Sequence, residues 1–172
     1  YDSLTNIANR SLFNKQFEET ITNAEREHSQ FALLMIDLND FKVINDRYGH
    51  QVGDKLLLNV ATILKSHIKG YDLVARLGGD EFAILLKNLS HDSHLETLCD
   101  KIIADCTTPT DIEGNQLAVE ISIGIAHYPK DATDTSSLLR CADLAMYAAK
   151  QNKVTGSSFA HFRKEYDAEH TR

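Results

Sequence analysis

Apolar positions along the chain follow two rhythms, one helical and one strand-like. Leu12, Phe13, Phe17, Ile21 and Ala24 recur at helical spacing and predict a first helix over 11–27. The run from Phe31 to Ile36 is apolar without interruption, which predicts a buried strand over 31–38 with Asp37 at its C-terminal end. A short helical stretch over 41–48 is stopped by Gly49. A second long helix over 52–68 then carries Val52, Leu56, Val60, Ile63, Leu64 and Ile68 as its buried stripe. Residues 72–77 and 82–86 read as short strands on either side of Gly78-Gly79, a hairpin-turn signal. Ser93 is placed to cap a helix over 93–106 with Leu95, Leu98, Ile102 and Ile103 inward, and Pro109 ends it. Residues 111–115 read as a strand end and turn. From 116 to 128 the pattern alternates, with Leu117, Val119, Ile121, Ile123 and Ile125 on one face and Gly124 open to a close backbone neighbour. Thr135 or Ser136 is expected to cap a helix through 152, and 157–162 forms an edge strand. Helices mixed with a central hairpin and mostly antiparallel strands predict an α+β fold, helices packed around one sheet.

Bulk properties narrow the function. The chain has 172 residues, the size of one domain, with ordinary hydrophobic (42%) and charged (25%) content. No apolar run approaches a membrane span, and a start at Tyr1 rather than Met predicts one domain of a longer protein. A net charge of −7 argues against a general nucleic-acid surface, yet leaves room for a phosphate ligand whose charge a bound cation offsets. Cys99, Cys106 and Cys141 lack metal-ligand spacing, so core burial in a reducing cytosol is expected. His91 and His94 could bind metal adventitiously, with a polar loop the favoured reading.

The candidate chemistry sits at Gly78-Gly79-Asp80-Glu81. A hairpin tip without side chains lets backbone approach a ligand, and the adjacent acids can hold a cation. Asp37, at the end of a strand, could meet them over one metal. Around these lie Phe41-Lys42, Ile44-Asn45-Asp46, Gly49-His50 and Gly53-Asp54. Leu4-Thr5-Asn6-Ile7-Ala8-Asn9-Arg10 precedes them, and Ser122-Ile123-Gly124-Ile125-Ala126 and Ala142-Asp143-Leu144-Ala145-Met146-Tyr147-Ala148-Ala149-Lys150 follow. In order and spacing these segments resemble the GGDEF family, the diguanylate cyclases, over residues 1–162; residues 163–172 read as a charged tail or the start of a linker.

The resemblance implies a βαββαβ core like that of nucleotidyl cyclases and the polymerase palm. It implies that two GTP are condensed to cyclic di-GMP, with release of two pyrophosphates, in a dimer of such domains. It implies Mg²⁺ or Mn²⁺ held by Asp37, Asp80 and the carbonyl of Leu38. Asp80 also corresponds to the usual proton acceptor, and Lys42 to the lysine that stabilises developing phosphate charge. Asn45 and Asp54 correspond to the guanine-recognising pair, with Gly78, Gly79, Glu81 and Lys150 around the nucleotide. His50 contacts the nucleotide or closes a loop. Plainer readings stand beside these roles: a surface lysine at Lys42, helix caps at Asn45 and Asp54, a solvated turn at Asp80 and Glu81. Asp46, Arg76 and Phe41 read as structural.

Two departures bear on activity. Where the family has an arginine that helps to hold terminal phosphates, this chain has Val154, with Lys153 and Thr155 beside it. Its product-inhibition motif is Lys69-Gly70-Tyr71-Asp72, and lysine lacks arginine's planar fork, so weak or absent product binding is expected. The competing reading is a catalytically weak GTP-binding regulatory module beside a phosphodiesterase domain. Either way the domain is expected in the cytoplasm, flanked by sensory or phosphodiesterase domains in a parent that is free to be membrane-anchored.

Overall fold

The computed structural model describes residues 1–89, 93–151 and 158–170. In chain order the elements are α1 (Arg10–Glu27), β1 (Phe31–Leu38), α2 (Phe41–Tyr48), α3 (His50–Ser66), β2 (Leu73–Gly78), β3 (Glu81–Leu86), α4 (Ser93–Thr107), β4 (Thr110–Ile112), β5 (Asn115–Leu117), β6 (Ile121–Tyr128), α5 (Thr135–Gln151), β7 (Ser158–His161) and α6 (Lys164–His170). Five strands form one sheet in the order β2-β3-β1-β6-β7, antiparallel except where β7 runs parallel to β6. Strands β4 and β5 form a separate small hairpin. The fold is the α+β arrangement that the sequence pattern implies.

Alternation along the central strands splits the core into two layers. Ala32, Leu34, Ile36 and Leu38 of β1 join Phe82, Ile84, Ile121, Ile123 and Ile125 in a layer closed by α3 and α4. Phe31, Leu33 and Met35 join Ala83, Leu85, Ala126 and Tyr128 in a second layer closed by α1 and α5. Both faces of β1 are therefore covered, which is why its sequence is a continuous apolar run rather than an alternating one. Odd-numbered Asp37 continues the second layer, so its side chain emerges toward α1 and α5.

Several details depart from the sequence pattern. The alternating stretch 116–128 is two strands, because Ala118–Glu120 leave the ladder: Val119 N donates to Cys106 O (3.0 Å) and Glu120 O accepts from Asn39 N (2.7 Å). Leu117, Val119 and Ile121 still face the same core layer, so alternation carries no trace of the break. Helix α5 is capped by Asp134, whose carboxylate accepts from Ser137 N (3.0 Å), not by Thr135 or Ser136. Helix α3 starts at His50 and stops at Ser66, leaving Ile63 and Ile68 only partly buried. His94 lies in α4 rather than in a loop. Residues 164–170 form α6, tied to α5 by Arg140 and Asp167. His91 and residues 152–157 lie outside the described residues, and so does the side chain of Ser93. Cys99 and Cys106 are core residues of α4, their thiols pushed up to about 12 by burial, and Cys141 is buried too.

One glycine sets the distance between α5 and the sheet. A Cβ on Gly124 would overlap the backbone of Ala142 and Met146, with the Met146 Cα only 2.8 Å away. Backbone cannot swing aside as a side-chain tip can. Gly124→Ala is expected to cost about 3 kcal/mol or more of folding stability. Urea denaturation of the variant checks this, and a loss below about 1 kcal/mol would contradict the close packing.

Candidate active site

The site lies at the end of the sheet where β1 finishes beside the β2–β3 hairpin. In the sheet register Asp37 pairs with Glu81 on one side and with Ser122 on the other. Leu38 N donates to the carbonyl of Asp80 (3.2 Å), which ties the end of β1 to the hairpin tip. At that tip Gly78 and Gly79 have φ of +142° and +51°, and nothing crowds the space where their side chains would be. Two arginines brace the tip. Arg76 donates through Nε to Gly79 O (2.9 Å) and pairs through Nη1 with Asp2 (3.2 Å), whose carboxylate also accepts from Thr5. Arg10, at the start of α1, donates through Nε to Leu77 O (3.0 Å). The structural reading of Arg76 and of buried Phe41 agrees with these contacts.

Carboxylates crowd here. Burial pushes the Asp80 carboxyl up, and the neighbouring Asp37 charge and side chain push it further. Burial likewise raises Glu81, with Asp143 and Asp37 adding to the shift while Arg10 and Lys150 oppose it. Asp143, on α5, is raised by desolvation and by Asp37, against Arg10. Lys150, two turns further along α5, pairs with Asp37 Oδ2. Asp37 Oδ1 is buried, and no donor meets it. Four carboxylates thus share two cations, and one buried oxygen stands without a partner. Such a donor set suits a hard divalent cation. Among the described residues no three His, Cys, Asp or Glu side chains converge on one point. Asp37 and Asp80 would hold the ion with the Leu38 carbonyl, and ligand oxygens or water would complete the shell.

The other predicted residues are arranged on the helices that follow β1. Lys42 is exposed in the first turn of α2, and His50 is exposed at the start of α3. Asn45 lies against Gly53, where a Cβ would overlap its Oδ1; this sets it beside Asp54, which is exposed. Neither residue caps a helix: the α2 and α3 N-caps are Asp40 and Gly49. Asn45 Oδ1 is buried without a donor, the second orphaned side-chain oxygen. Lys153, Val154 and Thr155 lie outside the described residues. Asp72 accepts from Lys87 N (2.9 Å) and Lys69 N (3.2 Å), so both its oxygens serve the local backbone. Sequence reasoning had assigned no role to Arg10 or Asp143. Both lie inside segments that carry the resemblance; the available signal was a charge at the start of the first helix for Arg10, and a lone carboxylate within an apolar stretch of α5 for Asp143.

The class is thus an α+β domain whose central strand ends in a carboxylate against an acidic hairpin tip, with helices on both faces of the sheet. Comparison with known proteins specifies the family. A family profile described as "Diguanylate cyclase, GGDEF domain" matches residues 1–155. The diguanylate cyclase TpbB of Pseudomonas aeruginosa is 41% identical over 152 residues, covering 88% of this chain and 35% of that protein. The bifunctional diguanylate cyclase/cyclic di-GMP phosphodiesterase MucR of the same organism is 38% identical over 159 residues, 92% of this chain and 23% of MucR. The solved structure of the isolated TpbB GGDEF domain superposes with a TM-score of 0.93 at 38% identity, covering 100% of this chain and 99% of that one. The chain belongs to the GGDEF family, and it spans about a third or less of the length of these curated relatives.

The carboxylate cluster has a consequence for stability. Folding raises the Asp80, Glu81 and Asp143 carboxyls. Their stabilising contribution is full below the ordinary carboxylate range and is lost as pH rises through the raised values. Asp80→Asn is therefore expected to stabilise the metal-free domain at neutral pH by about 0.5–1 kcal/mol, after allowance for solvent screening. The gain should shrink as pH falls through the raised value toward the ordinary carboxylate range, where the parent carboxyl is protonated. Thermal denaturation of both proteins across that range measures it, and a destabilised variant at neutral pH would contradict the crowding.

Proposed function

We propose that this domain is a diguanylate cyclase, condensing two GTP to cyclic di-GMP with release of two pyrophosphates. The observation that carries the reading is the meeting of Asp37 and Asp80 beside a buried, donor-free Asp37 oxygen. Bound there, Mg²⁺ or Mn²⁺ would neutralise charge on the reacting phosphate. The chain's own residues do the rest. Asp54 accepts from the guanine N1–H and N2 amino donors, and Asn45 meets the remaining edge. Adenine at that place would leave buried polar groups unpaired. Gly78 and Gly79 let the nucleotide lie against bare backbone. Lys42 and Lys150 face the phosphates, Lys150 being released from Asp37 when a cation takes that carboxylate. Asp80 receives the proton of the attacking 3′-hydroxyl, and Glu81 supports the metal or the nucleotide.

Each domain presents half of the reaction: its nucleotide's hydroxyl attacks the α-phosphate held by a second domain. The working unit is a homodimer, and control belongs to flanking sensory or phosphodiesterase domains of a larger protein, acting in the cytoplasm where GTP is. Product inhibition at Lys69 and Asp72 is weak, since Lys69 lacks a guanidinium fork and Asp72 already serves backbone amides. One observation favours the alternative of a GTP-binding regulatory module: Val154 stands where the resemblance has a phosphate-holding arginine.

Fusing the domain to a dimerising coiled coil and measuring cyclic di-GMP formed from GTP and Mg²⁺ separates the two. The cyclase reading expects product that falls by roughly 100-fold or more in Asp80→Asn. No product from the parent domain, with GTP still bound in a titration, would leave the regulatory module.

A further inference from the structure

A buried polar pair lies beside the end of β1, next to the site. Ser122 is fully buried on β6, directly across from Asp37 in the sheet register. Its hydroxyl donates to Asn39 Oδ1 (3.1 Å), and Asn39 is itself buried, 8% exposed, in the turn after β1. Asn39 N donates to Glu120 O (2.7 Å), so the residue is held to the start of β6 through both backbone and side chain. The N–H of Asn39 and the carbonyl of Leu38 belong to one planar trans peptide, whose two dipoles point opposite ways. Holding that N–H toward β6 turns the Leu38 carbonyl away from β6. It then faces the hairpin side, where Leu38 N already meets Asp80 O.

From this geometry we infer that Ser122 and Asn39 are positioning residues for the divalent cation, locking the Leu38–Asn39 peptide so that the Leu38 carbonyl faces the Asp37–Asp80 pair. The inference rests on the metal reading given above and deepens it. Nothing in the pair touches the ion. A hydroxyl and an amide beneath a carbonyl ligand do for it what outer-shell hydrogen bonds do for ligating side chains, and their loss weakens metal affinity while the fold survives. A pair kept only for core packing would instead show its loss in stability, with the cation bound as before.

The test is Mn²⁺ affinity, read by electron paramagnetic resonance on the domain with α,β-methylene-GTP, together with the melting temperature of the metal-free protein. Ser122→Ala and Asn39→Ala are each expected to weaken Mn²⁺ binding by roughly 10-fold. The melting temperature should fall by no more than a few degrees. Asn39→Asp keeps an acceptor for the Ser122 hydroxyl and should bind Mn²⁺ at least as tightly as the parent. Ser122→Cys, close in volume with a weaker donor, replaces any alanine variant that does not fold. Unchanged Mn²⁺ affinity in the variants that remove the hydrogen bond would overturn the inference, as would a loss that Asn39→Asp shares. Asp37→Asn runs beside them. If it alone loses Mn²⁺, only the positioning role fails; if it binds as the parent does, or the parent does not bind, the metal reading fails as well.

Discussion

Crowded negative charge at one end of the sheet is the constraint around which this domain is organised. Asp37 lies close enough to Asp80, Glu81 and Asp143 to raise all three, while Arg10 opposes the shift of Glu81 and Asp143 and Lys150 that of Glu81. A fold selected for stability alone would not collect four carboxylates there, because each costs free energy that pairing only partly offsets. The tension is that of a binding site waiting for positive charge. Lys150 on Asp37 is then a resident counter-ion for one of these carboxylates.

The rest of the architecture holds that cluster in register. Strand β1 is buried on both faces, so its direction and its end are fixed by the two core layers it separates. Gly124 lets α5 lie against β6 at backbone distance, and this close approach brings Lys150 and Asp143 to the end of the sheet. The hairpin tip is bare, since Gly78 and Gly79 have nothing to pack, and Arg10 and Arg76 hold it by its carbonyls from either side. Core packing places the strands, and polar brackets place the loops between them.

Much of this was legible in the chain. The limits of β1 and α2 follow from an unbroken apolar run and from a glycine stop, and both were read correctly. The approach of Asp37 to the Gly-Gly-Asp-Glu tip was foreseeable because each sits at the end of a predicted strand. The ordered motifs pointed to the GGDEF family over nearly the whole length. What alternation could not reveal was the break between β5 and β6, since residues on both sides of it face one core layer. Nor could it choose Asp134 over its hydroxyl neighbours as the cap of α5, since all three residues are good caps.

By itself the sequence determined the element types, the family and the cast of charged residues, because these depend on periodicity and local chemistry that neighbours in the chain already contain. Only the tertiary structure decided which charges meet. Arg10, Asp143 and Lys150 come to Asp37 and Glu81 from helices far away in sequence, and Ser122 meets Asn39 across 83 residues. The orphaned oxygens of Asp37 and Asn45 emerge only when every nearby donor has been placed. Long-range electrostatics and hydrogen-bond satisfaction are properties of the packed whole, so they cannot be read before the sheet has brought its strands together.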